Sequence, residues 1–367
     1  MLVQAESHTI PASIDYPFVL KAKRYWTKAC TEDPSAQTLI VLHSTSFHKE
    51  TWDPALEDLF VLLASSGSAI RAGEGTRAKG TRVAIREAWT IDCPNHGESA
   101  TLNHRALSTP EYANYISCTR YAEAVHRFLT LAPVDFSKRN MIGIGHSLGA
   151  NSMLILQHLQ PIYMFSALII IEPMVSALGL PALDPLRDRL VSEAARRKDR
   201  WGSRDEARKI YRERKKIQSW DRRVVDAFVN YAIYWNNEMR TFTLCCSRQQ
   251  EKVMYFDEEG PLRSISDMNK LCKDGHIPLH LILGEIPDFI PKHVQEALIA
   301  KNSGRRFASS VIMKGVGHLI PQEKPTELAK LIFDILVKTY NSGRAPPSTT
   351  TVSSASGTPS SARPSRL

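Results

Sequence analysis

MIGIGHSLGANSMLILQHL, residues 141–159, is the stretch that decides the fold. Its first four residues are an apolar, β-branched run, and the positions after Ser147 carry apolar side chains at helical spacing, so the segment predicts a strand, a sharp turn and a helix. The turn is Gly145-His146-Ser147-Leu148-Gly149, which fits G-x-S-x-G. That pattern is short enough to recur in unrelated chains, and its context carries the argument. A strand-turn-helix elbow lifts a serine hydroxyl above the edge of a sheet, and glycines flank the serine because the chain must turn tightly there. Ser147 is therefore a candidate nucleophile.

Working outward, residues 38–43 (TLIVLH), 89–92 (WTID), 141–145, 167–171 (ALIII) and 279–283 (LHLIL) each read as a short, fully buried strand. Helical patterns at 111–131 and 148–159 lie between them. Near-continuous apolar runs that alternate with helices predict an α/β fold: a mostly parallel sheet with both faces covered by helices. Residues 1–35 are read as an N-terminal extension, and 36–173 with 276–340 as the core. Residues 174–275 exceed what a strand-to-strand crossover needs and are mainly helical and charged, which predicts a helical cap over the sheet edge. The Gly-, Arg- and Lys-rich segment 68–82 predicts a surface insertion. Residues 341–367, almost devoid of large apolar side chains, predict a disordered tail.

A serine hydroxyl needs a base within hydrogen-bond reach. His318, in Gly315-Val316-Gly317-His318-Leu319, sits on a loop between a strand-like segment (SSVIM) and the helical run PTELAKLIFDIL, C-terminal to the serine as this chain order demands. An acid must orient it, and two carboxylates follow strands in between: Glu172, which ends the run LIII, and Asp288, which follows LHLIL. Stabilising a developing oxyanion takes two backbone N–H groups. Leu148, after the nucleophile, supplies one, and Thr45, in the loop His43-Ser44-Thr45-Ser46, is the candidate for the other. His43 itself reads as a structural loop histidine.

The 367 residues are 43% hydrophobic, enough for one large core. No apolar run is long enough for a transmembrane helix, and the N-terminus lacks the basic start and apolar stretch of a signal peptide, so an intracellular protein is expected. The six cysteines show neither C-x-x-C pairs nor metal spacing, which predicts reduced, mostly buried thiols. Formal charge is +9. Residues 187–223 hold fifteen Arg or Lys and seven Asp or Glu, a net of +8, so nearly all the excess lies in the predicted cap. Most of it reads as a solvated, ion-paired helical face, and part of it could hold phosphates at a pocket mouth. Trp201, Tyr211, Trp220, Phe228, Tyr231, Tyr234 and Trp235, interleaved with this charge, are expected mostly to pack the cap onto the core. No nucleic-acid motif accompanies the basic stretch, and its apolar positions are too few for a membrane-surface helix.

LIVLHSTSFHKETWDP, WTIDCPNHGES, GIGHSLGAN, IIIEPM and GVGHLIPQEKP resemble the successive blocks of the α/β-hydrolase superfamily across most of residues 36–338. More narrowly the chain resembles fungal peroxisomal hydrolases, a group that includes toxin-pathway enzymes, the acyl-CoA hydrolase of mycophenolic acid biosynthesis and a yeast peroxisomal lipase. The resemblance implies acyl-enzyme chemistry at Ser147 with no metal or redox cofactor. It favours Glu172 as the acid, with Glu where the relative has Asp, while the more usual superfamily position corresponds to Asp288 with one residue more than the common spacing. Ser44 stands where Gly is usual. The implied substrate is a small acyl compound, a CoA thioester ahead of a carboxylic ester of the kind a lipase cleaves; a non-catalytic binding protein of the same fold is the contrasting expectation. Ser365-Arg366-Leu367 resembles the S-K-L address, which implies a peroxisomal import receptor as partner and a matrix location.

Overall fold

The computed structural model describes residues 3–68 and 83–341. The expected insertion at 68–82, but for its first residue, and the expected tail with Ser365, Arg366 and Leu367, but for Asn341, lie outside the described residues.

The strands are β1 (Gln4–Ile10), β2 (Leu20–Trp26), β3 (Gln37–Leu42), β4 (Ile85–Ile91), β5 (Asn140–His146), β6 (Phe165–Ile171), β7 (Arg200–Trp201), β8 (Ile233–Asn236), β9 (Thr241–Leu244), β10 (Leu279–Gly284) and β11 (Ser309–Met313). Eight form one sheet in the order β1-β2-β4-β3-β5-β6-β10-β11. From β4 to β11 every pairing is parallel, while β2 pairs antiparallel with both β1 and β4. The sheet is thus the mostly parallel one that the sequence predicts.

Side chains alternate across each strand, so one strand feeds two cores. Ile40 and Leu42 of β3 face the helices Cys118–Leu131, Leu148–Leu156 and Glu259–Asp274. Leu39 and Val41 face the helices Asp53–Ser68 and Pro325–Asn341 on the other side. This two-faced burial is why β3, β5 and β10 read as near-continuous apolar runs.

The structure departs from the sequence expectations in three places. Residues 4–26, read as an extension, extend the sheet as an antiparallel edge. The helix expected over 111–131 starts only at Cys118, where the Ser117 side chain accepts from the Arg120 N–H and caps it, and the residues before it form turns. Segment 174–275 also holds more than helices over the sheet edge. It includes a small antiparallel sheet, β7-β9-β8, and its helix Glu259–Asp274 lies against the nucleophile helix, where the Ser264 hydroxyl donates to the Asn151 carbonyl. The six cysteines are unbridged, five of them buried and Cys30 half-buried. Among the described residues no helix is long and apolar enough to cross a membrane.

Candidate active site

The C-terminal ends of the parallel strands all reach one edge of the sheet, and the residues singled out by sequence stand there. Ser44 to Ser46 follow β3, Ser147 follows β5, Glu172 follows β6, Asp288 lies beyond β10 and His318 beyond β11. Such an edge is where open α/β sheets bind ligands.

Ser147 adopts φ 54°, in the left-handed region that side chains with a Cβ disfavour. Its N–H donates to the Ile171 carbonyl at 2.9 Å, which fixes the elbow against β6. Gly145 and Gly149 are required by space: a Cβ on the first would strike Gly149 and Ala150, and one on the second the Leu42 and His43 carbonyls. Among the described residues the non-glycine positions with positive φ are Ser46, Ser147, Glu172 and Arg240, so three of the four stand at this edge. Concentrated strain of this kind marks functional sites.

His318 Nδ1 lies 2.9 Å from Glu172 Oε2, and its Nε2 lies 3.0 Å from Ser147 Oγ. A carboxylate only accepts, so Nδ1 carries the proton and Nε2 offers its lone pair to the serine hydroxyl. An imidazole held in this tautomer can take the serine proton as Oγ attacks an acyl carbon. Glu172 is fixed through its other oxygen, which accepts from the Gly284 N–H at 2.6 Å and from Gln295 Nε2 at 3.1 Å. Asp288, the other candidate, turns its Oδ1 to the backbone N–H of His318 at 2.8 Å. It holds the loop, whereas Glu172 holds the ring.

Three further groups position His318, none of them picked out by sequence. Phe289 stacks on the imidazole at 4.7 Å between centroids and 12° between planes. His146 Nε2 donates to the His318 carbonyl at 2.8 Å. Gln295 acts through Glu172. His146 is the variable position of G-x-S-x-G, which carries no signal, and Gln295 lies 123 residues from Glu172, beyond the reach of spacing arguments.

Of the two expected oxyanion donors, Thr45 lines the same cavity as Ser147. The Leu148 amide is the first N–H of the nucleophile helix, one of those that no helical carbonyl can satisfy. His43 is structural, as expected: its Nε2 accepts from the Cys93 N–H at 3.0 Å and its Nδ1 donates to the Ser44 carbonyl at 2.8 Å.

His43, His96 and His146 are buried and neutral. Burial pushes His43 down to about 3 and, with repulsion from neighbouring histidines, holds His96 and His146 well below the usual range. Below pH 6.5 the unfolded chain therefore binds protons that the folded one refuses, and stability falls as pH falls. Between pH 7 and pH 5 His43 is expected to cost about 2 kcal/mol of folding stability, with His96 and His146 adding to the loss in the same direction. Urea midpoints at the two pH values test this, and a midpoint unchanged at pH 5 would show that these rings protonate in the fold.

Above the serine opens a cavity of about 810 Å³. Phe47, Leu190, Ile217, Trp220, Phe228 and Leu319 give it apolar walls. Tyr211, Trp220 and Phe228, which sequence expected to pack the cap onto the core, thus also face the cavity, while Trp235 is half exposed. Much of the cap's positive charge is ion-paired, as in Arg208 and Arg212 with Asp226 and Arg223 with Asp58. At the cavity rim stand exposed Arg189, Arg214, Lys215 and Lys216. Lys216 pairs with Glu193 at 3.3 Å; Arg214 and Lys215 pair with no carboxylate among the described residues.

The family model described as the alpha/beta hydrolase family matches residues 39–331. Two abhydrolase domain-containing proteins of Alternaria alternata, ACTT2 and AFT2-1, are each 24% identical over 54% of this chain and 83% of their own length. The type I acyl-CoA thioesterase mpaH of Penicillium roqueforti is 27% identical over 61% of this chain and 49% of its own, so the match spans about half of that protein. Among solved structures, the peroxisomal alpha-beta-hydrolase Lpx1 from Saccharomyces cerevisiae superposes with a TM-score of 0.71 at 18% identity, covering 94% of this chain and 91% of the other. The thioesterase domain from the curacin biosynthetic pathway gives 0.59 at 13% identity, covering 90% and 99%. With the family model spanning the elbow, both candidate acids and the histidine, this chain belongs to the alpha/beta hydrolase family.

Proposed function

We propose that the protein is a serine hydrolase that cleaves an acyl thioester through an acyl-enzyme, with acyl-CoA as its substrate class. The observation that carries this reading is the hydrogen-bonded chain from Ser147 through His318 to Glu172. His318 removes the serine proton as Oγ attacks and returns it to the departing thiolate; water then repeats the cycle on the acyl-enzyme. Glu172 orients the ring and stabilises it when charged. The Thr45 and Leu148 amides receive the oxyanion. Nothing in these steps calls on a metal or redox cofactor. A non-catalytic role sits poorly with an intact Ser, His and acid set.

The preference for a thioester of CoA rests on the rim. Arg214 and Lys215, without carboxylate partners among the described residues, suit the phosphates of CoA, while the apolar walls suit an acyl chain. The thioesterase named among the relatives supports the same choice, and the peroxisomal hydrolase among the structural neighbours supports a peroxisomal location. The acyl group would come from lipid or secondary metabolism, as the resemblance to toxin-pathway hydrolases implies.

Free-thiol release from a panel of acyl-CoA thioesters, beside hydrolysis of matched glycerol and p-nitrophenyl esters, tests the proposal. Wild type is expected to release thiol, and Arg214→Gln with Lys215→Gln to raise KM for acyl-CoA roughly tenfold while leaving the oxygen esters within about twofold, since two phosphate contacts are removed. Hydrolysis of oxygen esters alone would assign a carboxylesterase or lipase. Failure of a fluorophosphonate to label Ser147, with no hydrolysis of any ester, would leave a binding protein.

A further inference from the structure

Besides its apolar walls the cavity is lined by a polar cluster, Ser46, Arg197, Tyr211, Glu251 and Tyr255. Arg197 Nη1 donates to both oxygens of Glu251, at 2.7 and 2.6 Å. The two side chains are 19% and 5% exposed. The Ser46 hydroxyl donates to Glu251 Oε1 and lies 3.3 Å from the Tyr255 hydroxyl. The Tyr211 hydroxyl lies beside the same guanidinium. None of these groups belongs to the relay through His318. A buried ion pair is a poor device for stability alone, because apolar residues of the same size often serve as well or better. Its place on the wall of a substrate cavity calls for another account.

A guanidinium has five N–H donors in a fixed fork, and both bonds to Glu251 come from one nitrogen. We infer that Arg197, with the Tyr211 and Tyr255 hydroxyls, forms a subsite for a neutral oxygen function, a hydroxyl or keto group, carried on the chain that enters the cavity. The inference rests on the proposed use of this cavity for an acyl chain. The occupant is neutral because the pair already balances its own charge. A carboxylate would set a second negative charge beside Glu251, and an ammonium a second positive one beside Arg197, each without a partner. A plain alkyl chain would strip water from these donors and return no acceptor, and a site built to hydrogen-bond an oxygen rejects the analogue that lacks it. Ser46 follows Thr45 directly, so the same network also pins the loop that carries the proposed oxyanion donor.

The test is binding to full-length Ser147→Ala protein, measured by titration calorimetry. The ligands are methyl dodecanoate and its derivatives with one hydroxyl or keto group moved along the chain. At least one derivative is expected to bind about tenfold or more tighter than the plain ester, the discrimination that unmade hydrogen bonds give. Adding Arg197→Met and Glu251→Gln together, which removes both charges and keeps an acceptor for Ser46, is expected to bring the affinities together. Should that variant fail to fold by circular dichroism, Tyr255→Phe, which removes one hydroxyl and no charge, is expected to narrow the gap. Equal affinities across the series, or a gap that survives in the folded variants, would overturn the subsite. Because binding is read without turnover, absence of ester hydrolysis by wild type would strike the proposed chemistry and leave this inference to its own data.

Discussion

Ser147→Ala is expected to lower kcat/KM for the acyl substrate of the proposed reaction by on the order of 10⁵-fold. The size reflects what is removed. His318 Nε2 lies 3.0 Å from Ser147 Oγ, and no other hydroxyl among the described residues bonds to it. Alanine leaves the amides of Thr45 and Leu148 and the cavity itself in place, so residual rate would come only from binding and oxyanion stabilisation. Folding should suffer little. The substitution removes one hydroxyl from a backbone that Gly145, Gly149 and the Ile171 carbonyl still hold, a cost of about 1 kcal/mol. The check is kinetics on wild type and variant with a melting curve for each. A variant that melts like wild type yet keeps a tenth of its activity would place the nucleophile elsewhere.

The parts of this site that sequence reveals are those whose physics is local. The elbow is legible because a tight turn between buried strand and helix demands small residues around one serine. His318 is legible because it sits on a loop between SSVIM and a helical run. Strands β3, β5, β6 and β10 are legible because burial on both faces forces apolar residues at most positions. Strands β1 and β2 are not: QAESHTI is exposed along most of its length and LKAKRYW alternates charged with apolar side chains, as an antiparallel edge does. Sequence pattern starts the helix over 111–131 too early because Tyr112 and Tyr115 fall at helical spacing with the apolar residues beyond Cys118. In the fold those two rings pack on Phe18 instead, and the Ser117 cap sets the start.

The pair Arg197–Glu251 shows the other limit. Its members are 54 residues apart in a segment crowded with Arg, Lys and Glu, where composition offers many equivalent pairings. Only the packing of the cap against the loop after β3 selects this one. The choice between Glu172 and Asp288 is of the same kind, since each follows a buried strand and each could reach a histidine. What separates them is the disposition of backbone donors: the Gly284 N–H draws Glu172 into place beside the ring, while the His318 N–H takes the carboxylate of Asp288.

That difference yields a second large effect. Glu172→Gln is expected to lower kcat/KM about 10⁴-fold, and Asp288→Asn about tenfold or less. In wild type, Glu172 Oε1 accepts from Gly284 and Gln295 while Oε2 accepts from His318 Nδ1–H. A glutamine has one acceptor oxygen to divide between these two sides. The Gly284 and Gln295 donors are fixed and would claim it, which turns the NH2 group toward His318. Nδ1 must then accept, the proton moves to Nε2, and the nitrogen facing Ser147 has no lone pair to offer. The imidazolium also loses the negative charge that stabilises it in the transition state. Asp288→Asn keeps an acceptor for the His318 N–H, so it perturbs the loop without changing the tautomer. Both variants should fold, which melting curves would verify, and kcat/KM measured on one acyl substrate ranks them. If Asp288→Asn were the more damaging, the imidazole would depend on Asp288 during turnover, and the 2.9 Å contact with Glu172 would be a resting arrangement that the reaction leaves behind.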